Sequence, residues 1–161
     1  MSILKTVLLA AAFVAFVFYW HRKWVRANSA AKEVAAKLGL FDTERHLFSR
    51  KYLGTYWGYG VEVALRFNPI LGSSTVVKVF LSKENPFLQR ICDPRIFDRL
   101  LKEERILKDV VVNLGKMGEI KAGKDNISFE KSEFLDSKTI AVIIAATLCL
   151  ARGVEKLRQE V

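Results

Sequence analysis

The chain has few of the residues on which site chemistry is usually built. Its 161 residues include two cysteines, two histidines and three prolines. Cys92 and Cys149 are far apart in the sequence and form no C-x-x-C, and no zinc-ligand spacing is present. Two idle or buried thiols are the ordinary reading, since a disulfide would require an oxidising side of a membrane. The histidines are His21 and His46, and neither is accompanied by a Ser, Cys or carboxylate motif that would set up a nucleophile and its base. No metal, no cofactor and no small-molecule substrate is therefore expected. Gly54, Gly58 and Gly60 match neither a G-x-x-x-x-G-K-[ST] loop nor a G-x-G-x-x-G that opens a helix. They are expected to be hairpin glycines.

Acidic residues are scarce at one end. Residues 1–51 hold nine Lys/Arg against three Asp/Glu, so +6 of the net +9 lies there. Residues 52–161 hold seventeen against fourteen, and that remaining +3 is interspersed with acids. A nucleic-acid partner would want a basic stripe on the folded part, with aromatics to stack bases, and this distribution does not supply one.

What the chain does have is Ile3 to Trp20, ILKTVLLAAAFVAFVFYW, with one charge, no Pro and no Gly. In a helix this run rises roughly 27 Å, close to a bilayer's hydrocarbon core. Tyr19, Trp20 and Trp24 stand where an interfacial aromatic belt would stand, and Lys5 can snorkel at the other end. Arg22, Lys23 and Arg26 form a basic collar behind it. These seven residues are the expected membrane-interface set. A cleaved secretory signal would show small residues close behind the apolar run. Here the run is followed by Tyr19, Trp20, His21, Arg22, Lys23 and Trp24, so an uncleaved anchor is expected. The basic excess after the anchor places the rest of the chain in the cytoplasm by the positive-inside rule. Membrane lipid is then one partner, and another membrane protein meeting the anchor is a second.

The expected organisation is a transmembrane anchor at 1–24, a helical stalk at 25–39 and a cytoplasmic α+β domain at 40–161, about 120 residues and of ordinary domain size. Asn28-Ser29 suggests a kink in the stalk, and Gly39 is placed to end it. Val25, Ala31, Val34, Ala35 and Leu38 give the stalk an apolar face that could meet the domain, lipid or a partner helix. Leu40, Phe41, Leu47 and Phe48 suggest a short helical turn closing on the core. Tyr52–Trp57, Val61–Phe67 and Thr75–Leu81 read as a three-strand antiparallel meander with one face packed and one mostly wet. Asp93-Pro94 is a helix start with Asp as N-cap and Pro at the first position. The periodic apolar residues from Ile96 to Leu114 continue that helix, with Val110–Val112 weakening its end. Residues 119–122 and 127–130 read as a short hairpin, extending the first sheet or forming a second. Asp136 or Ser137 caps a last helix to Gln159. Its thirteen uncharged residues, Thr139–Ala151, are short for a membrane span and suit a core helix. The fold class expected is thus α+β: a transmembrane helix, then a small antiparallel sheet packed with two helices.

These elements resemble a group of prokaryotic single-pass membrane-anchored α+β proteins with no assigned activity. The likeness covers residues 50–158. It is carried by Gly54-Thr55-Tyr56, Val61-x-Val63, Val77-x-Val79 and Asp93-Pro94-Arg95-x-Phe97-Asp98, followed by a helix, a hairpin and a Leu-rich helix. Ile96 stands as an extra residue inside the last motif. The resemblance implies architecture and no site.

Three functions follow as expectations. The first is a membrane-tethered, non-catalytic binding or accessory domain, with Tyr52, Tyr56, Trp57 and Tyr59 as its partner surface. The second is a membrane-associated enzyme, which would need Asp98, His46 and a hairpin edge to share a pocket. The third is a lipid-surface module that uses the basic collar.

Overall fold

The computed structural model describes residues 3–68, 72–81, 105–123 and 125–159. The expected helix start at Asp93-Pro94, together with Cys92 and Asp98, lies outside them.

Helix α1 runs unbroken from Ile3 to Leu38, through Asn28-Ser29. Asn and Ser bend helices when their side chains compete for backbone groups. Asn28 is engaged elsewhere: its Oδ1 accepts a hydrogen bond from the Tyr52 hydroxyl at 2.9 Å. The helix ends as expected at Gly39, which has φ 69°. The Leu40 N–H donates back to the Ala35 carbonyl at 2.8 Å, closing a Schellman turn.

Among the described residues, six strands follow in one antiparallel sheet, with one helix before the fifth strand and another after the sixth. They are β1 (Phe41–His46), β2 (Ser49–Tyr56), β3 (Tyr59–Asn68), β4 (Gly72–Phe80), β5 (Glu119–Ala122) and β6 (Asn126–Lys131). Helix α2 (Arg105–Met117) precedes β5, and α3 (Ser137–Gln159) ends the described chain. The sheet order is β1-β2-β3-β4-β6-β5. The meander is therefore present, and the short hairpin extends the same sheet through the β4–β6 pairing.

Two expectations are corrected. Residues 41–46 form an edge strand, not a helical turn. Among the described residues β1 pairs only with β2, and it carries a bulge between Asp42 and Glu44. Charge and a bulge are how edge strands avoid pairing with other chains. The second correction concerns the outer face, expected to be mostly wet. At its centre Glu62, Ala64 and Val76 are buried. Glu62 is held between Lys51 at 3.5 Å and Lys78 at 3.3 Å, one lysine from each neighbouring strand.

The helices cover the other face. Val61, Val63, Leu65, Val77, Val79, Ile127 and Phe129 point into one core with Ile140, Ile143, Ile144 and Leu148 of α3. Period-two strands put alternate residues on this face, and α3 presents a 3.6-period stripe to it. Ala141, Val142 and Ala145 lie exposed on the far side of α3. Asp136 caps α3, accepting the Thr139 N–H at 2.8 Å and the Thr139 hydroxyl at 2.9 Å. These bonds hold its carboxyl below the usual aspartate range. Thr75, fully buried, donates to the Glu133 carbonyl and accepts from the Leu135 N–H. It thereby pins the connector from β6 to α3. Helix α2 runs through its valines to Met117 rather than ending early. Leu107 and Leu114 are buried, and Val110 and Val111 pack against the core.

The apolar face of 25–39 lies on the domain. Ala27, Ala31, Val34 and Ala35 are buried at helical spacing, against β2, β3 and α3, whereas Val25, expected on that face, is turned away and exposed. N-terminal to them the picture inverts. The large apolar side chains from Ile3 to Tyr19 are exposed, and α1 is long and apolar enough to cross a membrane by length and composition. α3 also passes that test, but a good part of its apolar window is buried in the core.

Candidate functional site

Strand β2 sets two ends of the domain apart. It starts beside Trp20 of α1, passes Asn28 through Tyr52, and reaches the β2–β3 turn eight residues on. The near end faces the exposed part of α1, and the far end carries the aromatic turn.

At the near end, the Trp20 ring lies 4.8 Å from the Phe67 ring, which lies 5.8 Å from Phe48. The Phe67 N–H donates to the Phe48 carbonyl at 2.8 Å, tying β3 to the β1–β2 turn. Trp24 packs on Phe134 at 5.6 Å. Of the expected interface residues, Lys23 places its ammonium 5.0 Å from the Tyr19 ring and 5.4 Å from the Trp20 ring. These are cation–π distances. Lys5, Arg22 and Arg26 are exposed on α1. The turn residues Leu47 and Phe48 are themselves exposed, Leu47 by 79 %. They border an open groove of about 750 Å³ lined also by His46, Arg66, Phe67 and Glu130. His46 is solvent-facing, with Nε2 at 3.4 Å from Glu44.

At the far end the four aromatic residues part company. Tyr52 is buried and faces α1; burial, and then Asp42, push its hydroxyl pKa up. Tyr59 donates to Glu155 of α3 at 2.7 Å, and burial followed by that carboxylate raises it to about 12. These two bolt the sheet to the helices. Trp57 remains at the tip, 67 % exposed, its ring stacked on Tyr56 at 5.3 Å and 14°. The Arg152 guanidinium lies 5.9 Å from the Trp57 centroid. Trp57 and Gly58 form a two-residue turn with φ of 53° and 82°. That turn favours Asn, Asp or Gly first, because a side chain at positive φ crowds the following carbonyl. A bulky Trp there costs about 1–2 kcal/mol.

The Tyr59 shift has a testable sign. An unfolded tyrosine titrates near ~10, so the fold favours the neutral phenol. This stability is present in full below about pH 10 and is lost as pH rises through about 12. Tyr59→Phe is expected to shrink the loss of Tm measured between those values. It will not abolish the loss, since Tyr52 shifts in the same direction.

A second cleft, about 420 Å³, lies between α1 and the β1–β2 hairpin. Lys32, Arg45, Arg50 and Asp42 line it, with Asp42 receiving Arg45 Nε at 2.8 Å. Among the described residues no group of three His, Cys, Asp or Glu is placed to hold a metal. Cys149 is a free, partly buried thiol on α3.

No family model matches the chain, and neither a curated protein nor a solved structure shows significant similarity to it.

Proposed function

We propose that this chain is a single-pass, membrane-tethered, non-catalytic binding domain. Its anchor is the apolar half of α1, its folded part is cytoplasmic, and it meets its partner through the far tip at Tyr56, Trp57 and Arg152. The observation that carries the reading is Trp57: exposed, ring-stacked, and held at a backbone conformation that a smaller residue would occupy more cheaply. Local strain of this kind is retained where a side chain is used. An exposed Trp beside an Arg is also the pairing that dominates many interfaces. The tether reading is supported by the exposed apolar run and the aromatic and basic residues behind it.

Trp57→Asn tests both parts of the argument. Relief of about 1–2 kcal/mol of backbone strain is offset by the lost ring stacking of about 0.5–1.5 kcal/mol and the lost Arg152 contact of about 0.5–1 kcal/mol, so the variant should melt close to the unaltered chain. Copurification from a detergent extract should lose whatever protein the unaltered chain retains. A variant that keeps its partner shows that the tip is not the contact. Recovery of the full chain from the aqueous phase after carbonate washing removes the tether itself.

A further inference from the structure

We propose that the β1–β2 turn is a second membrane contact, with Leu47 and Phe48 seated in the interfacial layer of an anionic leaflet. The inference rests on the anchor reading above and goes beyond it, because the domain is fixed on α1 and an anchor alone leaves that helix free to tilt the domain away from the bilayer surface.

Three observations converge on the turn. The first is position. Phe48, Phe67 and Trp20 form a continuous aromatic chain, with ring centroids 5.8 and 4.8 Å apart, so the turn stands level with the residue that ends the apolar run. Trp at that position marks the bilayer–water boundary. The second is exposure. Leu47 and Phe48 are exposed by 79 % and 49 %, and only Phe48 spends part of its surface on an internal contact, the Phe67 ring. Two adjacent large apolar side chains on a turn continue the exposed surface of α1, whose Phe16 packs edge-on to Trp20 at 6.0 Å. The third is charge. Arg22, Lys23 and Arg26 stand on α1, Arg45 and Arg50 face each other across the hairpin behind the turn, and Arg66 lines the adjoining groove. Asp42 and Glu44 offset part of this, through Arg45 at 2.8 Å and His46 at 3.4 Å. The balance stays positive, as contact with anionic headgroups requires. The domain is thereby held upright, with β2 rising from the membrane and Trp57 presented at the opposite end of the strand.

The test uses the full chain in vesicles of mixed phosphatidylcholine and phosphatidylglycerol. Cys92→Ser and Cys149→Ala clear the background, and an environment-sensitive fluorophore is attached at Leu47→Cys, Leu9→Cys or Trp57→Cys in turn. Position 47 is solvent-exposed in the folded protein, so the substitution removes no core contact. Expected are quenching of the position-47 label by a nitroxide at headgroup depth and several-fold protection from an aqueous quencher relative to position 57. Both effects should weaken in vesicles of phosphatidylcholine alone. A label at 47 as accessible as that at 57, with the label at 9 still deep, overturns the hairpin contact and leaves the anchor standing. Protection at 47 without lipid quenching means a contact with a second copy, and also overturns it. A water-accessible label at 9 overturns the anchor.

Discussion

A chain that begins at residue 40 is expected not to fold, whereas one that begins at His21 is expected to fold without lipid. The reason lies in the second half of α1. Ala27, Ala31, Val34 and Ala35 are buried, and Trp24 and Leu38 pack against the same core. Three of the four fully buried residues are small, which lets the helix axis approach the sheet closely. Removing it uncovers Tyr52, leaves that hydroxyl without Asn28, and deletes the Gly39–Leu40 turn that sets the entry into β1. A buried Val- or Leu-sized side chain contributes about 1.5–3 kcal/mol, and the surfaces of the sheet and α3 it covered lose as much again. The loss is then on the order of 5–10 kcal/mol, comparable to the entire ~5–15 kcal/mol that holds a domain together. Far-UV circular dichroism and thermal melting of the two fragments check this. A cooperative transition in the shorter fragment would mean that α1 is only a stalk. On the tether reading, the boundary between anchor and folded part is expected inside one helix, near the Trp20–Trp24 segment, because the helix is packed on the core from there on.

That boundary shows how the sequence was informative and where it was silent. The stripe at 31, 34, 35 and 38 was visible, because helical spacing is a property of the segment itself. What it packs on is not, since sheet, lipid and another helix all accept small apolar residues. The meander was visible for a related reason: period-two alternation marks a half-buried strand wherever it is placed. β1 was hidden because Phe41–His46 carries Asp42, Glu44 and Arg45 and exposes Phe41. An edge strand needs one paired side and no buried face, so it owes its conformation to β2 rather than to its own composition. The aromatic surface was misplaced by a smaller margin. Placing the turn at Gly58-Tyr59-Gly60 leaves the facing of Tyr52 and Tyr59 undetermined. The observed turn at Trp57-Gly58 pairs Tyr52 with Val63 and Tyr56 with Tyr59. Register decides face, and one residue of slip exchanges the two faces. The signal that finds it is Val63: a residue paired with a buried position across a narrow pair shares its side of the sheet. The burial of Glu62 had no local signal, because it depends on lysines eleven residues before and sixteen after it.

The joint between α2 and β6 makes the second large prediction. Gly118 follows α2, and its N–H donates to the Leu114 carbonyl at 3.0 Å. A Cβ built there would lie 2.5 Å from Phe129 Cζ and 2.6 Å from the Glu130 carbonyl oxygen. The helix end therefore rests directly on β6, and the Phe129 ring, 1 % exposed, fills the space a side chain would need. Phe129→Ala is expected to cost about 3–5 kcal/mol, through lost burial and the cavity it leaves under α2 and α3. Gly118→Ala is expected to cost about 1–3 kcal/mol by overpacking. Because one atom group causes both penalties, they should not add. In Phe129→Leu combined with Gly118→Ala the shortened side chain vacates the Cζ position, so the double variant should lose less than Phe129→Leu alone and Gly118→Ala alone do in sum, by roughly 1 kcal/mol. The rescue stays incomplete because the Glu130 carbonyl belongs to the sheet backbone on the side that pairs with β5, and cannot retreat without disturbing the β5–β6 ladder. Urea unfolding of the four proteins measures the coupling. Strict additivity would mean that the helix end shifts freely on the sheet, and then α2 would not be fixed by this contact at all.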